Sequence, residues 1–247
     1  MKEELPTEDL LPQMALVREN FDKARTSYMN NHKTFQLEKD ARLTIYSHCI
    51  VAFDSAFLYL IFRTFDLPED SWWDNLPQKI IEKFGITKPL ILKPSPDNRK
   101  LIKDSVDSYW QYSVFILLFS SLESSIRTII RTAYPGEFKD GRGHLTSIYK
   151  RLLGNKFSCY ECLLKLFRLA RNTMHNNGVY FPKDEGGDDH VTYKSKTYDF
   201  IDGQSVQYDN VSKLLFFDIA PDILKMINDI VNSPDVSKRD QIMDPST

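Results

Sequence analysis

The chain has little cysteine: three residues in 247, Cys49, Cys159 and Cys162. An odd and small number argues against a disulfide framework and fits a reducing compartment. Cys159 and Cys162 form a lone Cys-x-x-Cys. No second such pair and no paired histidines complete a four-ligand zinc site, so these two read as ordinary residues at a helix start. Charge of one sign is lacking too. A formal net charge of -2 gives no global attraction to nucleic acid, and any such contact has to come from a local patch. The N-terminus, Met1-Lys2-Glu3-Glu4-Leu5-Pro6, has no secretory-signal pattern. The longest apolar run, Ile50 to Phe62, is too short to span a bilayer and carries Asp54. There is no internal repeat and no long flexible linker. A soluble, cytoplasmic protein without a membrane partner is expected.

Hydrophobic residues make up 42% of the chain and aromatics 13%, the composition of a packed globular protein with a sizeable core. One domain over 1–247 is expected. Periodicity predicts an amphipathic helix over about 7–34 and a richer one over 38–64, ended by Pro68, with His48 near its middle. Asp54, among apolar neighbours, reads as a hydrogen-bonded core carboxylate. A short helix carrying Trp72 and Trp73 follows, then a loop marked by Pro89, Pro94 and Pro96. A long helix runs from Asp97 to about Ala133 and stops at Tyr134-Pro135-Gly136. Further helices are predicted from Leu145 to Leu153, broken at Gly154-Asn155, and from about Cys159 to Asn176.

Alternation over 191–208 then predicts a small antiparallel meander, with Asp202-Gly203 as the hairpin signal and Lys194-Ser195-Lys196 as a second possible turn. A last helix over about 211–232 contains Pro221, which predicts a kink or a break. The tail over 233–247 is expected to be disordered. The fold class is therefore mainly all-α: a helical bundle with a small antiparallel β-meander inserted before the last helix.

Chemistry concentrates in Phe167-Arg168-Leu169-Ala170-Arg171-Asn172-Thr173-Met174-His175-Asn176-Asn177-Gly178. Leu163, Leu166, Phe167, Ala170 and Met174 take one side of this helix. Arg168, Arg171, Asn172 and His175 share an arc of roughly 100° on the other. Arg171 and His175 are four apart, so their Cβ atoms sit about 5–6 Å from each other. Arg168 is roughly 10 Å back along the axis, within reach of a long side chain. Asn172 offers an amide that can orient an imidazole or a water. No Asp or Glu interrupts residues 162–183, so no carboxylate within that run neutralises the arginines. Asn176-Asn177-Gly178 reads as a C-terminal cap that places His175 in the last turn. There the helix dipole favours the imidazolium and the guanidinium groups oppose it, a balance suited to general acid–base work. On the long preceding helix, Glu123 sits at the border of core and surface. It reads equally as a carboxylate reaching a polar junction between helices and as a solvated flank residue. Polar residues opposite an apolar stripe are also what any surface helix shows.

Arg171-Asn172-Thr173-Met174-His175-Asn176, with Arg168 before it and Gly178 after it, resembles the signature helix of the HEPN superfamily, in which an arginine, often followed by a polar residue, precedes a histidine by four to six intervening residues. Arg171-Asn172 matches the Arg-Asn pair with three residues before His175. Arg168 has six, without the following Asn. Glu123 is similar to the polar residue that many members place beside the motif. The resemblance implies a helical bundle and a metal-independent endoribonuclease of a toxin–antitoxin or phage-defence system, needing no cofactor. It implies RNA as substrate, a homodimer formed through the motif helix, and a cognate antitoxin or defence partner protein. The implied catalytic set is His175, Arg171, Arg168, Asn172 and Glu123, with Asn176, Asn177 and Tyr180 as substrate-binding residues. Two other readings stay open: a non-catalytic HEPN-like module that binds a nucleotide, nucleic acid or protein, and a structural helical scaffold with a solvated Arg/His face.

Overall fold

The computed structural model describes residues 7–32, 37–66, 96–138, 142–176, 178–182, 187–206 and 211–245. They form α1 (Thr7–Asn31), α2 (Ala41–Asp66), α3 (Pro96–Ala133), α4 (Leu145–Leu153) and α5 (Glu161–His175). A two-stranded antiparallel hairpin follows, β1 (Asp189–Tyr193) and β2 (Lys196–Phe200). The chain then closes with α6 (Val211–Lys213), a π-turn segment (Leu214–Ile219), α7 (Ala220–Val231) and α8 (Pro234–Ser237). The protein is mainly helical with a small antiparallel insertion before its last helices. The expected helix around Trp72 and Trp73, the loop prolines Pro89 and Pro94, and Asn177 lie outside the described residues.

One continuous core runs from α1 to the C-terminal segment. Phe53 of α2 packs edge-on against Phe21 of α1 at 5.0 Å and against Phe216 of the π-turn at 5.8 Å. Such pairs contribute about 0.5–1.5 kcal/mol beyond the area they bury. Ala41–Leu60 and Tyr109–Ala133 are long and apolar enough to cross a membrane, and 56% of each window is buried among the protein's own residues. Asp54 differs from expectation. It faces α1 and pairs with Arg18 at 2.7 Å, both side chains 45% exposed, so it is an interhelical surface ion pair and not a core carboxylate.

Pro221 takes effect through the π-turn. A proline cannot donate to a carbonyl of the preceding turn, and its ring crowds that turn. The wider i→i+5 geometry relieves both problems: the Ala220 N–H donates to Leu215 O, and the helix continues. The Gln13 amide of α1 donates to Phe216 O at 3.2 Å, and the Tyr193 hydroxyl to Asp218 O at 3.0 Å, so the loosened carbonyls keep donors.

The hairpin turns at Lys194-Ser195, not at Asp202-Gly203. Lys194 and Ser195 both have positive φ, 47° and 65°, the two-residue turn whose twist matches paired strands. Val191, Tyr193, Tyr198 and Phe200 alternate inward. The Asp202-Gly203 turn instead brings the chain back against the segment after α5. The Tyr180 N–H donates to Gln204 O, Gly203 N–H to Tyr180 O and Val206 N–H to Gly178 O, at 3.0, 2.9 and 2.9 Å.

The expectation of a disordered tail fails as well. Val236 and Ile242 are fully buried, the Ala41 N–H donates to Ile242 O at 2.7 Å and the Asp244 N–H to Lys39 O at 2.8 Å. Two buried apolar residues in a polar stretch are a weak signal, and the tail is held in part through backbone carbonyls that accept from Arg42, which local sequence does not reveal.

Candidate functional site

The apolar stripe of α5 decides where its polar face points. Leu163, Leu166, Phe167, Ala170 and Met174 are buried, as are Leu169 and Thr173. The Phe167 ring sits edge-on to Phe115 and Phe119 of α3 at 4.8 and 5.0 Å. With α5 seated in this way, the Arg171 guanidinium lies 5.1 Å over the Phe119 ring and its NH1 donates to Asn172 Oδ1 at 3.2 Å. The Arg171 Nε is shielded from solvent and has no hydrogen-bond partner among the described residues. Arg171 is therefore half-buried and held by an aromatic face and a neighbouring amide. The polar face of α5 is not simply turned away from the protomer: α3 and residues 143–146, 180–182 and 187–189 wall part of it.

A cleft of about 660 Å³ lies between these elements. It takes Arg168, Arg171 and Asn172 from α5, Glu123 and Arg127 from α3, and Tyr180, Asp188 and Asp189 from beyond the helix. A second, smaller depression of about 330 Å³ is lined by Arg171, Asn172, His175, Asn176 and Phe181. Arg171 and Asn172 belong to both. Of these two, Arg168 lines the first and His175 the second, so it is Arg171, rather than Arg168, that shares a depression with the histidine. His175 is exposed in the last turn of α5. Asn176 ends the helix and donates to Asn172 O at 3.1 Å.

Glu123 pairs along its own helix and lines the cleft between α3 and α5. Its Oε1 accepts from Arg127 Nε and NH2 at 2.9 and 2.8 Å, and Arg127 NH1 donates to Gly143 O at 3.3 Å. The Glu–Arg spacing of four along one helix was the signal for this pair. Tyr180 is a wall of the cleft more than a ligand arm: its side chain is 5% exposed and packs on Phe200 at 5.6 Å. Burial and the Asp189 carboxylate raise the Tyr180 phenol above its ordinary range against the opposing Arg168 charge, so it stays protonated.

Two carboxylates that local spacing did not connect to the motif also line the larger cleft. Asp189 pairs with Lys165 of α5 at 2.5 Å, and Asp188 accepts the Asp202 N–H at 3.0 Å. Although no acid interrupts residues 162–183, the fold returns these two to the arginines. Arg127, Arg168 and Arg171 thus share the cleft with Glu123, Asp188 and Asp189.

A second group of polar residues has the composition of a hydrolase triad. His48 Nδ1 is 3.2 Å from the Ser125 hydroxyl and its Nε2 is 4.0 Å from Asp244 Oδ2. Ser125 is 2% exposed, so no substrate carbonyl can reach it, and the trio ties α2 and α3 to the C-terminal segment. Among the described residues no three His, Cys, Asp or Glu side chains converge as metal ligands. Cys159 and Cys162 are exposed free thiols. Comparison of the chain with protein-family models, curated proteins and solved structures finds no match.

Proposed function

We propose that the protein is a HEPN-like, metal-independent endoribonuclease of a toxin or phage-defence system, acting in the cytoplasm as a homodimer through its motif helix. The observation that carries this reading is the shared depression of Arg171, Asn172 and His175, in which a half-buried guanidinium, braced on Phe119 and Asn172, stands beside an exposed imidazole. RNA carries its own nucleophile. The 2′-oxygen attacks the adjacent phosphorus, His175 takes the 2′-hydroxyl proton or delivers one to the departing 5′-oxygen, and the products are a cyclic phosphate and a 5′-hydroxyl end. General acid–base catalysis of this kind contributes on the order of 10²–10⁴ in rate. The planar guanidinium matches the extra charge on the phosphorane, an interaction worth about 3 kcal/mol where a preorganised donor is lost.

The test is cleavage of mixed cellular RNA by the purified protein with EDTA present. His175→Ala and Arg171→Ala should each lose on the order of 10²-fold or more in rate, with helicity unchanged by circular dichroism. Arg168→Ala should lose less, because Arg168 opens on the other cleft. Full cleavage by both the His175 and Arg171 variants sinks the proposal.

The three acids that share the larger cleft with three arginines favour a second reading, a non-catalytic HEPN-like module that holds a nucleotide, nucleic acid or protein partner; a cognate antitoxin or defence partner protein belongs to the first reading. The signature of the second is tight, salt-sensitive RNA or nucleotide binding with no turnover.

A further inference from the structure

Three of the five residues around the His175 depression come from α5 and a fourth, Asn176, caps it; the fifth is Phe181. Phe181 also lines the larger cleft, as Arg171 and Asn172 do. It is 53% exposed, an arrangement in which an aromatic face is left in water beside a guanidinium and an imidazole. The backbone beneath it is fixed. Tyr180 exchanges hydrogen bonds with Gly203 and Gln204 on both its N–H and its carbonyl, its side chain is buried, and Pro182 restricts Phe181 to extended conformations. The chain that carries the ring is thus held in place, and the exposed ring is presented at the edge of the depression.

Whatever touches His175 from within this depression lies between the polar face of α5 and the Phe181 ring. Arg171 offers a fork for a phosphate. Asn172, whose side-chain oxygen is engaged by Arg171, offers amide N–H donors. An aromatic face offers what a nucleobase needs and a free phosphate does not. Base–aromatic stacking is independent of base identity, which suits binding to single-stranded nucleic acid. Resting on the ribonuclease reading above, we infer that Phe181 stacks a base of single-stranded RNA next to the phosphate held by Arg171. Phe181 is then a substrate-binding residue that holds an unpaired nucleotide at His175, and duplex RNA, whose bases are already stacked, binds less well.

The test uses the full chain with a fluorescein-labelled, fully 2′-O-methyl single-stranded oligonucleotide, which binds without being cleaved, and an abasic ribose-phosphate oligomer of equal charge. Phe181→Ala should weaken oligonucleotide binding about 5- to 150-fold, the span that loss of one base–aromatic stack carries, and leave abasic binding unchanged. Phe181→Trp should keep the affinity. Its added indole emission should be quenched by the oligonucleotide and not by the abasic oligomer or inorganic phosphate. Unchanged oligonucleotide affinity in Phe181→Ala, with no quenching in Phe181→Trp, overturns the stacking role and points to a protein-docking use of the ring. If His175-dependent cleavage persists in that case, the ribonuclease reading survives without it. If the native chain neither binds nor cleaves RNA, both fall.

Discussion

Removing the Arg42 guanidinium would strand Asp40 in the interior. Arg42 is 1% exposed and Asp40 fully buried. Nε and NH2 donate to the two Asp40 oxygens at 2.9 and 2.6 Å, and NH1 donates to Val236 O and Arg239 O at 3.0 and 2.7 Å. A buried pair repays its desolvation only when its hydrogen bonds are complete, and breaking one partner costs about 3–5 kcal/mol. Arg42→Ala should therefore lose about 3–5 kcal/mol in urea unfolding, and Arg42→Met with Asp40→Leu should recover part of it. By contrast Arg18→Ala, which removes an exposed pair with Asp54, should lose at most about 1 kcal/mol. Equal losses at the two sites would refute the argument. Nothing in the sequence distinguishes Arg42 from Arg18: the carbonyls that capture Arg42 lie 194 and 197 residues further along, beyond the reach of any periodicity.

At the level of elements, legibility followed the strength of local signals. Leu145–Leu153 stands where its 3.6-residue period placed it, and α5 ends at His175, as Asn176-Asn177-Gly178 implied. The period reports burial of a helix on itself and its immediate neighbour. It does not report which of two valid turns closes a hairpin, since both Lys194-Ser195 and Asp202-Gly203 do turn the chain. The division of the motif into two depressions was equally invisible, because both are lined by Phe181, which the chain brings back to α5 after the helix has ended. The glycine that permits this return is Gly178. It has φ of 86°, its N–H donates to Thr173 O at 2.8 Å, and a Cβ there would meet the Tyr112 hydroxyl at 3.1 Å. Left-handed backbone costs an L-residue about 1–2 kcal/mol, so Gly178→Ala should destabilise by at least about that amount in urea unfolding. Adding Tyr112→Phe, which removes the crowded oxygen, should restore part of the loss. Strict additivity of the two changes would show that the contact does not matter.

Across the whole molecule, several of the twelve tyrosines tie distant segments through their hydroxyls. Tyr46 donates to Asn228, Tyr160 to Asp229 and Tyr193 to Asp222, each at 2.6 Å, and Tyr134 to Asp235 at 2.8 Å. The aromatic content announced a core; these pairings, 29 to 182 residues apart in sequence, are set only by the packed fold. They also determine its behaviour in alkali. Burial first, and then the neighbouring carboxylate, pushes the Tyr134 phenol up to about 12. Burial raises Tyr46, Tyr149, Tyr160 and Tyr193 further. The folded chain therefore holds these protons more tightly than the unfolded chain, in which tyrosine titrates near about 10. Where the native state binds more protons, stability falls as pH rises. This contribution is complete below about pH 10 and is lost as pH climbs through the raised folded values, between about 10 and 12 for Tyr134. Phenolate absorbance should stay well below that of free tyrosine past pH 10 and then rise in the same transition that removes the far-ultraviolet helical signal. Gradual titration of all twelve near the free value, with helicity intact, would show that the hydroxyls do not hold the elements together.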